Sequence, residues 1–142
     1  MTLRKTVVGL GIVAFIGSWF LPVMHEVNGW NAFLVAFGGF WTPLEDWPHH
    51  LVMALTTLTN VVMIVAIGAF IRRGALQSRW AWGLIIAGVF DTYWLKPLLQ
   101  EGADILIGFY LWWLSFFVVG LASLGSRSVS AGGATVASDR TP

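Results

Sequence analysis

The chain has 142 residues, of which 57% are hydrophobic and 11% charged, with a mean hydropathy of +0.76 and a formal net charge of +1. A water-soluble domain of this size could not bury so much apolar surface in one core, so that class is excluded and an integral membrane protein is indicated. The near-neutral charge provides no attraction for nucleic acid, and the absence of cysteine excludes disulfides and thiolate metal sites.

Four apolar segments are long enough to cross a bilayer, because a membrane-spanning helix needs about 20 residues. We predict an all-α integral membrane protein, with a four-helix transmembrane bundle in residues 1–124. The first segment has no cleavage site after it and is interpreted as a retained anchor helix. Residues 125–142 are rich in Ser, Gly, Ala and Thr, which predicts a disordered cytoplasmic tail. The predicted spans are residues 6–24, 51–71, 80–99 and 104–124.

The basic residues predict the orientation of these spans. Seven of the eight fall on one side of a four-span topology, and Lys96 is the exception. By the positive-inside rule that side is the cytoplasm, so both termini are expected there and the opposite face is outside. The seven residues are Arg4, Lys5, Arg72, Arg73, Arg79, Arg127 and Arg140.

The first outer loop contains an apolar stretch, residues 29–41, that is too short to span a bilayer. Its aromatic residues Trp30, Phe33 and Phe37 recur at helical spacing. We predict a short interfacial helix here, with a re-entrant segment as the less favoured alternative. Together with Trp112 and Trp113 of the last span, these aromatic side chains are candidates for contact with lipid, another subunit, a quinone or a pigment.

Asp91 is the only acidic residue within an apolar run. It follows Gly83 and Ala87 at four-residue spacing, so it is expected to face another helix. If its helix continues to about Leu99, Asp91 lies near the bilayer centre; if Lys96 and Pro97 end the helix, it lies nearer the outer surface. The predicted intramembrane polar cluster consists of Asp91, Asn60, Thr56, Ser115 and Lys96.

Two interpretations of Asp91 stay open. An ionisable residue inside a membrane is typical of proton relays and ion pathways. A protonated or lysine-paired carboxyl group that joins two helices explains the same position without any substrate.

The outer loop also carries histidines and acids whose side chains suit a divalent metal ion. Adjacent histidines on a helix point about 100° apart, so His49 and His50 do not readily bind one ion together. Interfacial histidines without a metal are the simpler interpretation. The candidate metal or haem ligands are His25, His49, His50, Glu26 and Asp46.

Two short motifs resemble a known group of proteins. Gly29-Trp30-Asn31-Ala32-Phe33 follows the first span, and Gly108-Phe109-Tyr110-Leu111-Trp112 with Ser115 lies in the last. The pattern resembles small uncharacterised four-span bacterial inner-membrane proteins, which carry a Gly-Trp-x-x-Phe loop and a Gly-Tyr-x-Leu-Trp type of final helix. Phe109 departs from that second motif. The resemblance implies the topology and a bacterial inner membrane, and it implies no activity.

Three hypotheses for function follow from the sequence. No catalytic grouping is present, and no cofactor is required, which favours a non-enzymatic accessory or assembly subunit of a larger membrane complex, of respiratory or photosynthetic type. The alternative is a small proton-coupled transporter or channel that uses Asp91. The third is an outer-face metal or haem protein that uses His25, His49 and His50.

Overall fold

The computed structural model describes residues 3–41, 47–100 and 104–124, with side chains described throughout except at 47–49 and 97–99. The predicted tail and Asp46 lie outside these residues. The described chain is mostly helical, which confirms the coarser part of the predicted fold. Its elements are α1 (Leu3–Ser18), β1 (Pro22–Met24), β2 (Val27–Asn28), α2 (Gly29–Gly38), α3 (Trp47–Arg73), α4 (Ser78–Asp91), a 3₁₀ turn (Thr92–Trp94), α5 (Leu95–Gln100) and α6 (Ile107–Leu124).

Two of these helices are long and apolar enough to cross a membrane. They are residues His50–Arg73 of α3 and all of α6. By length and composition they are compatible with a membrane location, in agreement with the chain's composition.

A small antiparallel hairpin of β1 and β2 is the feature that the all-α prediction missed. The first span was predicted to continue to Met24, but α1 ends at Ser18. Pro22 has no backbone N–H with which to continue a helical hydrogen-bond pattern. Glu26, in the turn between the strands, has a φ of 58°. The Leu106 N–H donates to the Val23 carbonyl at 3.0 Å, which joins the hairpin to the residues before α6.

The third predicted segment, residues 80–99, is helical but not continuous. The α-helical part ends at Asp91, the chain tightens into the 3₁₀ turn, and α5 follows. Thr92 Oγ1 donates to the Gly88 carbonyl at 3.0 Å, which occupies an acceptor at the end of α4. Pro97 lies in the first turn of α5, where a missing N–H removes no intrahelical bond.

The helices pack around α6, which lies between α1 and α4, while α3 packs against α4 and α2 packs against α3. Glycines allow the close approach of α4 to α6: a Cβ on Gly120 would lie 3.0 Å from the Ala81 carbonyl oxygen. The core consists of Val8, Phe15, Met63, Ala66, Leu76, Leu84, Ala87, Phe116 and Val119.

Arg4 joins the start of α1 to the end of α6. Its Nε donates to the Ala122 carbonyl at 2.7 Å, and its Nη2 donates to the Ser123 carbonyl at 2.6 Å. Carbonyl groups in the last turn of a helix have no intrahelical partner. A cation there also interacts favourably with the negative end of the helix dipole. Lys5 Nζ approaches Gly74, so the connection between α3 and α4 lies at this same end of the molecule, which we term the basic end.

Candidate functional site

One side of α3 carries three buried polar side chains, Thr56, Thr59 and Asn60, spaced three and four residues apart. Thr59 Oγ1 donates to the Thr56 carbonyl oxygen at 2.7 Å, and Asn60 Nδ2 donates to the same oxygen at 3.0 Å. The side chains are thus fixed against their own helix, and their other polar atoms meet α4 and α6.

Asp91 ends α4 and is fully buried against this side of α3. Its Oδ1 lies 3.2 Å from Thr59 Oγ1, within hydrogen-bond distance. Its Oδ2 is buried and has no hydrogen-bond partner among the described residues. The four-residue spacing with Gly83 and Ala87 therefore pointed to the correct side of α4, but the partner is Thr59 and not one of the residues that we expected.

Two tryptophans complete the polar cluster from neighbouring elements. Trp94 Nε1, from the 3₁₀ turn, donates to Thr56 Oγ1 at 2.6 Å. Trp112 Nε1, from α6, donates to Asn60 Oδ1 at 2.8 Å. Each indole supplies an apolar body together with one N–H donor, which suits a buried hydroxyl or amide oxygen. Thr56 and Asn60 consequently link three elements through side-chain hydrogen bonds.

For the other two predicted cluster members, no side-chain hydrogen bond to Thr56, Asn60 or Asp91 occurs among the described residues. Ser115 is buried on α6, where its hydroxyl donates to the Trp112 carbonyl at 2.5 Å. Lys96 is exposed on α5, and in the part of the chain that the structure describes no ion pair joins it to Asp91. The structure therefore does not show the suggested pairing of Lys96 with Asp91.

Trp113 is also engaged within the chain. Its Nε1 lies 3.0 Å from the Gly88 carbonyl and 3.1 Å from Thr92 Oγ1. Trp112 and Trp113 are both half-buried, so each contributes an internal hydrogen bond as well as some outer surface. The prediction that Trp112 and Trp113 contact lipid or a partner did not include these internal hydrogen bonds.

A cavity of about 300 Å³ lies beside the polar cluster, between the hairpin, α2, α3 and α6. Its walls are mainly apolar, and Thr56 and Asn60 provide polar atoms at one side. The indoles of Trp19, Trp94 and Trp112 surround it together with Phe33 and Phe109. This combination of an apolar wall and a few convergent polar groups is typical of a small-molecule site.

The aromatic residues of α2 form a stacked row that borders this cavity. Trp19 from α1 stacks on Phe33 with ring centroids 5.1 Å apart, and Phe33 stacks in turn on Trp30 at 6.0 Å and Phe37 at 6.2 Å. The Asn28 side chain accepts from the Asn31 N–H at 2.9 Å and so caps the start of α2. The predicted aromatic residues Trp30, Phe33 and Phe37 therefore lie together on one helix.

The candidate metal ligands are described only in part. His25 and Glu26 are exposed in the hairpin turn, and His50 is half-buried in α3. No group of three or more His, Asp or Glu side chains that could hold a metal ion occurs among the described residues. The His49 side chain and Asp46 lie outside that description, so the predicted metal or haem site stays a prediction.

The predicted polar cluster did not include Thr59 and Trp94. Thr59 shares its side of α3 with Thr56 through three-residue spacing, which was visible in the sequence. Nothing in the sequence shows that the chain tightens after Asp91, and this turn is what places the Trp94 indole beside α3.

Fold and site thus define a mostly helical protein with two helices able to cross a membrane and an apolar cavity beside a buried polar cluster. No protein-family model, curated protein or solved structure matches the chain. The resemblance to small four-span bacterial proteins accordingly stays a prediction.

Proposed function

We propose that this chain is an integral membrane protein with four spans, formed by α1, α3, α4 with its continuation to α5, and α6. Apolar side chains on the outer faces of the shorter helices support the proposal: Leu10 and Val13 of α1 are 64% and 66% exposed, and Ile86 and Val89 of α4 are 65% and 60% exposed. An outward apolar face on every long helix suits lipid and not water. Its membrane is a bacterial inner membrane.

The proposed orientation has both termini and the basic end in the cytoplasm. The proximity of Arg4 to the end of α6, and of Lys5 to the α3–α4 connection, supports this orientation, because it collects basic residues at one end of the helices. The hairpin and α2 then lie outside, with α2 as an interfacial helix.

A labelling experiment tests this topology. The chain has no cysteine, so single cysteines introduced at Glu26 and Ala75, both exposed, react without background. With a membrane-impermeant maleimide on spheroplasts, Glu26→Cys should react at once, and Ala75→Cys only after lysis. Reaction of both variants in intact spheroplasts would contradict the topology.

We further infer that the protein is a non-enzymatic accessory subunit of a larger membrane complex that binds a flat apolar molecule with a carbonyl or hydroxyl group, such as a quinone. The cavity beside Thr56 and Asn60 carries this proposal. Thr56 Oγ1 accepts from Trp94 and keeps its own hydrogen for a ligand, and Asn60 Nδ2 uses one of its two hydrogens for the Thr56 carbonyl.

Two adjacent threonines provide the matched test. Thr56 lines the cavity, whereas Thr57 is buried one residue further along and donates to the Met53 carbonyl. Quenching of tryptophan fluorescence by a short-chain benzoquinone reports binding. Thr56→Val should weaken binding about fivefold, the effect of one hydrogen bond, and Thr57→Val should not change it. Equal effects of the two variants, or no quenching in the unmodified protein, would reject the proposal.

The accessory role has its own test. After gentle extraction from native membranes, native gel electrophoresis and mass spectrometry should find the chain in an assembly with other membrane proteins. A lone chain that binds no other protein would count against this role. Ligand binding in the cavity would still be tested separately by the quenching experiment.

The buried Asp91 carboxyl group favours a second function, proton-coupled transport. Thr59 has one hydroxyl hydrogen, and the shorter contact of its Oγ1 is with the Thr56 carbonyl oxygen, which can only accept. The hydroxyl hydrogen is therefore used on Thr56, and Thr59 Oγ1 is left as an acceptor toward Asp91. A proton on Asp91 would therefore complete the contact with Thr59. In proteoliposomes with an internal pH-sensitive dye, Asp91→Asn should abolish proton flux and the exposed Asp104→Asn should not. Unchanged flux in Asp91→Asn would exclude this function.

A further inference from the structure

A second cavity, of about 340 Å³, lies at the basic end between the last turns of α3 and the first turn of α4. Val65, Gly68 and Ala69 of α3 form its apolar floor, and Trp80 of α4 lines one side. Helical spacing continues this side of α3 directly to Arg72 and Arg73. The cavity thus has an apolar part within the helices and a cationic part at their end.

Three guanidinium groups line the cationic part: Arg72, Arg73 and Arg79. All three are exposed, and in the described ranges no acidic side chain pairs with them. The sequence contains no Asp or Glu between Asp46 and Asp91. These arginines consequently have positive charge available for a bound anion.

The start of α4 adds to this attraction. The N-cap residue of α4, Gln77, makes no side-chain capping hydrogen bond, and the first turn of α4 contains no acidic residue. Backbone N–H groups at a helix start favour an anion, and arginine adds paired N–H donors whose geometry matches phosphate oxygens. Arg79 supplies such donors in that same turn.

We propose that this cavity binds the phosphate group of an anionic phospholipid of the cytoplasmic leaflet. The arginines and the start of α4 would hold the phosphate, while the glycerol and the first part of an acyl chain would lie over Val65, Gly68 and Ala69. Basic pockets between helices at the cytoplasmic side are a recurring form of lipid recognition. The inference uses the proposed membrane location and does not depend on the cavity beside Thr56.

Native mass spectrometry of the full chain, released from detergent with added lipid, tests the proposal. Phosphatidylglycerol should remain bound through activation that removes phosphatidylcholine, and inorganic phosphate at millimolar concentration should not displace it. The double variant Arg72→Gln/Arg79→Gln should lose binding about tenfold or more, because two charge-assisted contacts are removed. Arg140→Gln, which removes a charge near the end of the sequence, should bind as the unmodified protein does.

Two glycines separate filling of the cavity from damage to the fold. A Cβ on Gly68 would have no heavy atom within 4 Å, and the same holds for Gly9 on α1, outside the cavity. Gly68→Leu should remove bound phosphatidylglycerol with unchanged thermal stability, and Gly9→Leu should keep it. Equal retention of phosphatidylcholine, displacement by inorganic phosphate, or full binding by Gly68→Leu would overturn the proposal. Thr56→Val should not affect lipid binding. The phospholipid proposal can therefore fail independently of the proposed ligand binding beside Thr56.

Discussion

Asn60 connects α3 to α6 through a single side chain. Its amide donates to the Thr56 carbonyl and accepts from the Trp112 indole at the same time. Buried polar groups cost free energy when they lose a partner, and this cost exceeds the gain of making the bond. Substitution of Asn60 therefore leaves the Trp112 indole N–H unpaired, whereas the Thr56 carbonyl still accepts from Thr59 Oγ1.

We predict that Asn60→Leu lowers the free energy of unfolding by about 1–2 kcal/mol, since it leaves the Trp112 Nε1–H without an acceptor. Thermal unfolding in detergent, followed by far-UV circular dichroism, measures the change. In a Trp112→Phe background the same substitution should cost less, because no indole N–H remains to be orphaned. An equal cost in both backgrounds would show that the hydrogen bond does not couple the two residues.

The individual residues of the site were predictable to different degrees. Asp91 could be placed on the inward side of its helix because small residues precede it at four-residue spacing. The identity of its partner could not be predicted, since Thr56, Thr57, Thr59 and Asn60 lie within two turns and the rotation of α3 relative to α4 decides among them. That rotation depends on packing and not on local sequence.

At the level of the elements, glycines mark where two backbones meet. A Cβ on Gly108, at the start of α6, would lie 2.6 Å from the Pro22 carbonyl oxygen and 2.9 Å from that of Leu21. Both contacts are with backbone atoms of the hairpin region, which cannot rotate away as a side chain could. The hairpin and α6 thus approach each other only because residue 108 has no side chain.

Gly108→Ala should accordingly destabilise the protein by about 1–3 kcal/mol, as overpacked sites do. Gly17→Ala provides the control, because a Cβ there meets no heavy atom within 4 Å, and alanine favours a helix over glycine by roughly 0.5–1 kcal/mol. Melting temperatures in one detergent should therefore fall for the first variant and rise or stay level for the second. A similar melting temperature for both would contradict the close approach.

The element boundaries show where sequence patterns stop being informative. Apolar composition marks the third segment through about Leu99, yet the α-helix ends at Asp91 and a 3₁₀ turn intervenes. Hydropathy responds to burial in lipid and not to backbone geometry, so the two kinds of helix look alike in the sequence. The hairpin at Pro22–Met24 was missed for the same reason, as its residues extend an apolar run.

At the scale of the whole molecule, composition was sufficient to predict a mostly helical protein whose helices are compatible with a membrane. The order of packing was not predictable. In water a helix shows its inward face by an apolar stripe, but in lipid both faces are apolar and that signal is lost. Only the structure shows that α6 lies between α1 and α4, and that α1 has the last described helix as its main neighbour.

The Arg4 contact is the prediction that belongs to this scale. Arg4→Gln should lower the free energy of unfolding by about 1–2 kcal/mol, since two charge-assisted hydrogen bonds to the end of α6 are lost. Lys5→Gln removes the same charge from an exposed side chain and should change stability by less than about 0.5 kcal/mol. Chemical denaturation in mixed micelles measures the free energy of unfolding of both variants. Equal losses of stability in the two would show that net charge, and not the contact with α6, causes the effect.

The Arg4 contact also has a consequence for synthesis on the ribosome. Arg4 is 118 and 119 residues away in sequence from the two carbonyl groups that it binds, so α1 is synthesised long before its main neighbour exists. Closure of α1 onto α6 is consequently a late step, available only to a chain translated through Ser123. A nascent chain released before that point leaves Gly11 without the covering side chains of Val118 and Val119 and Arg4 without its two carbonyl partners.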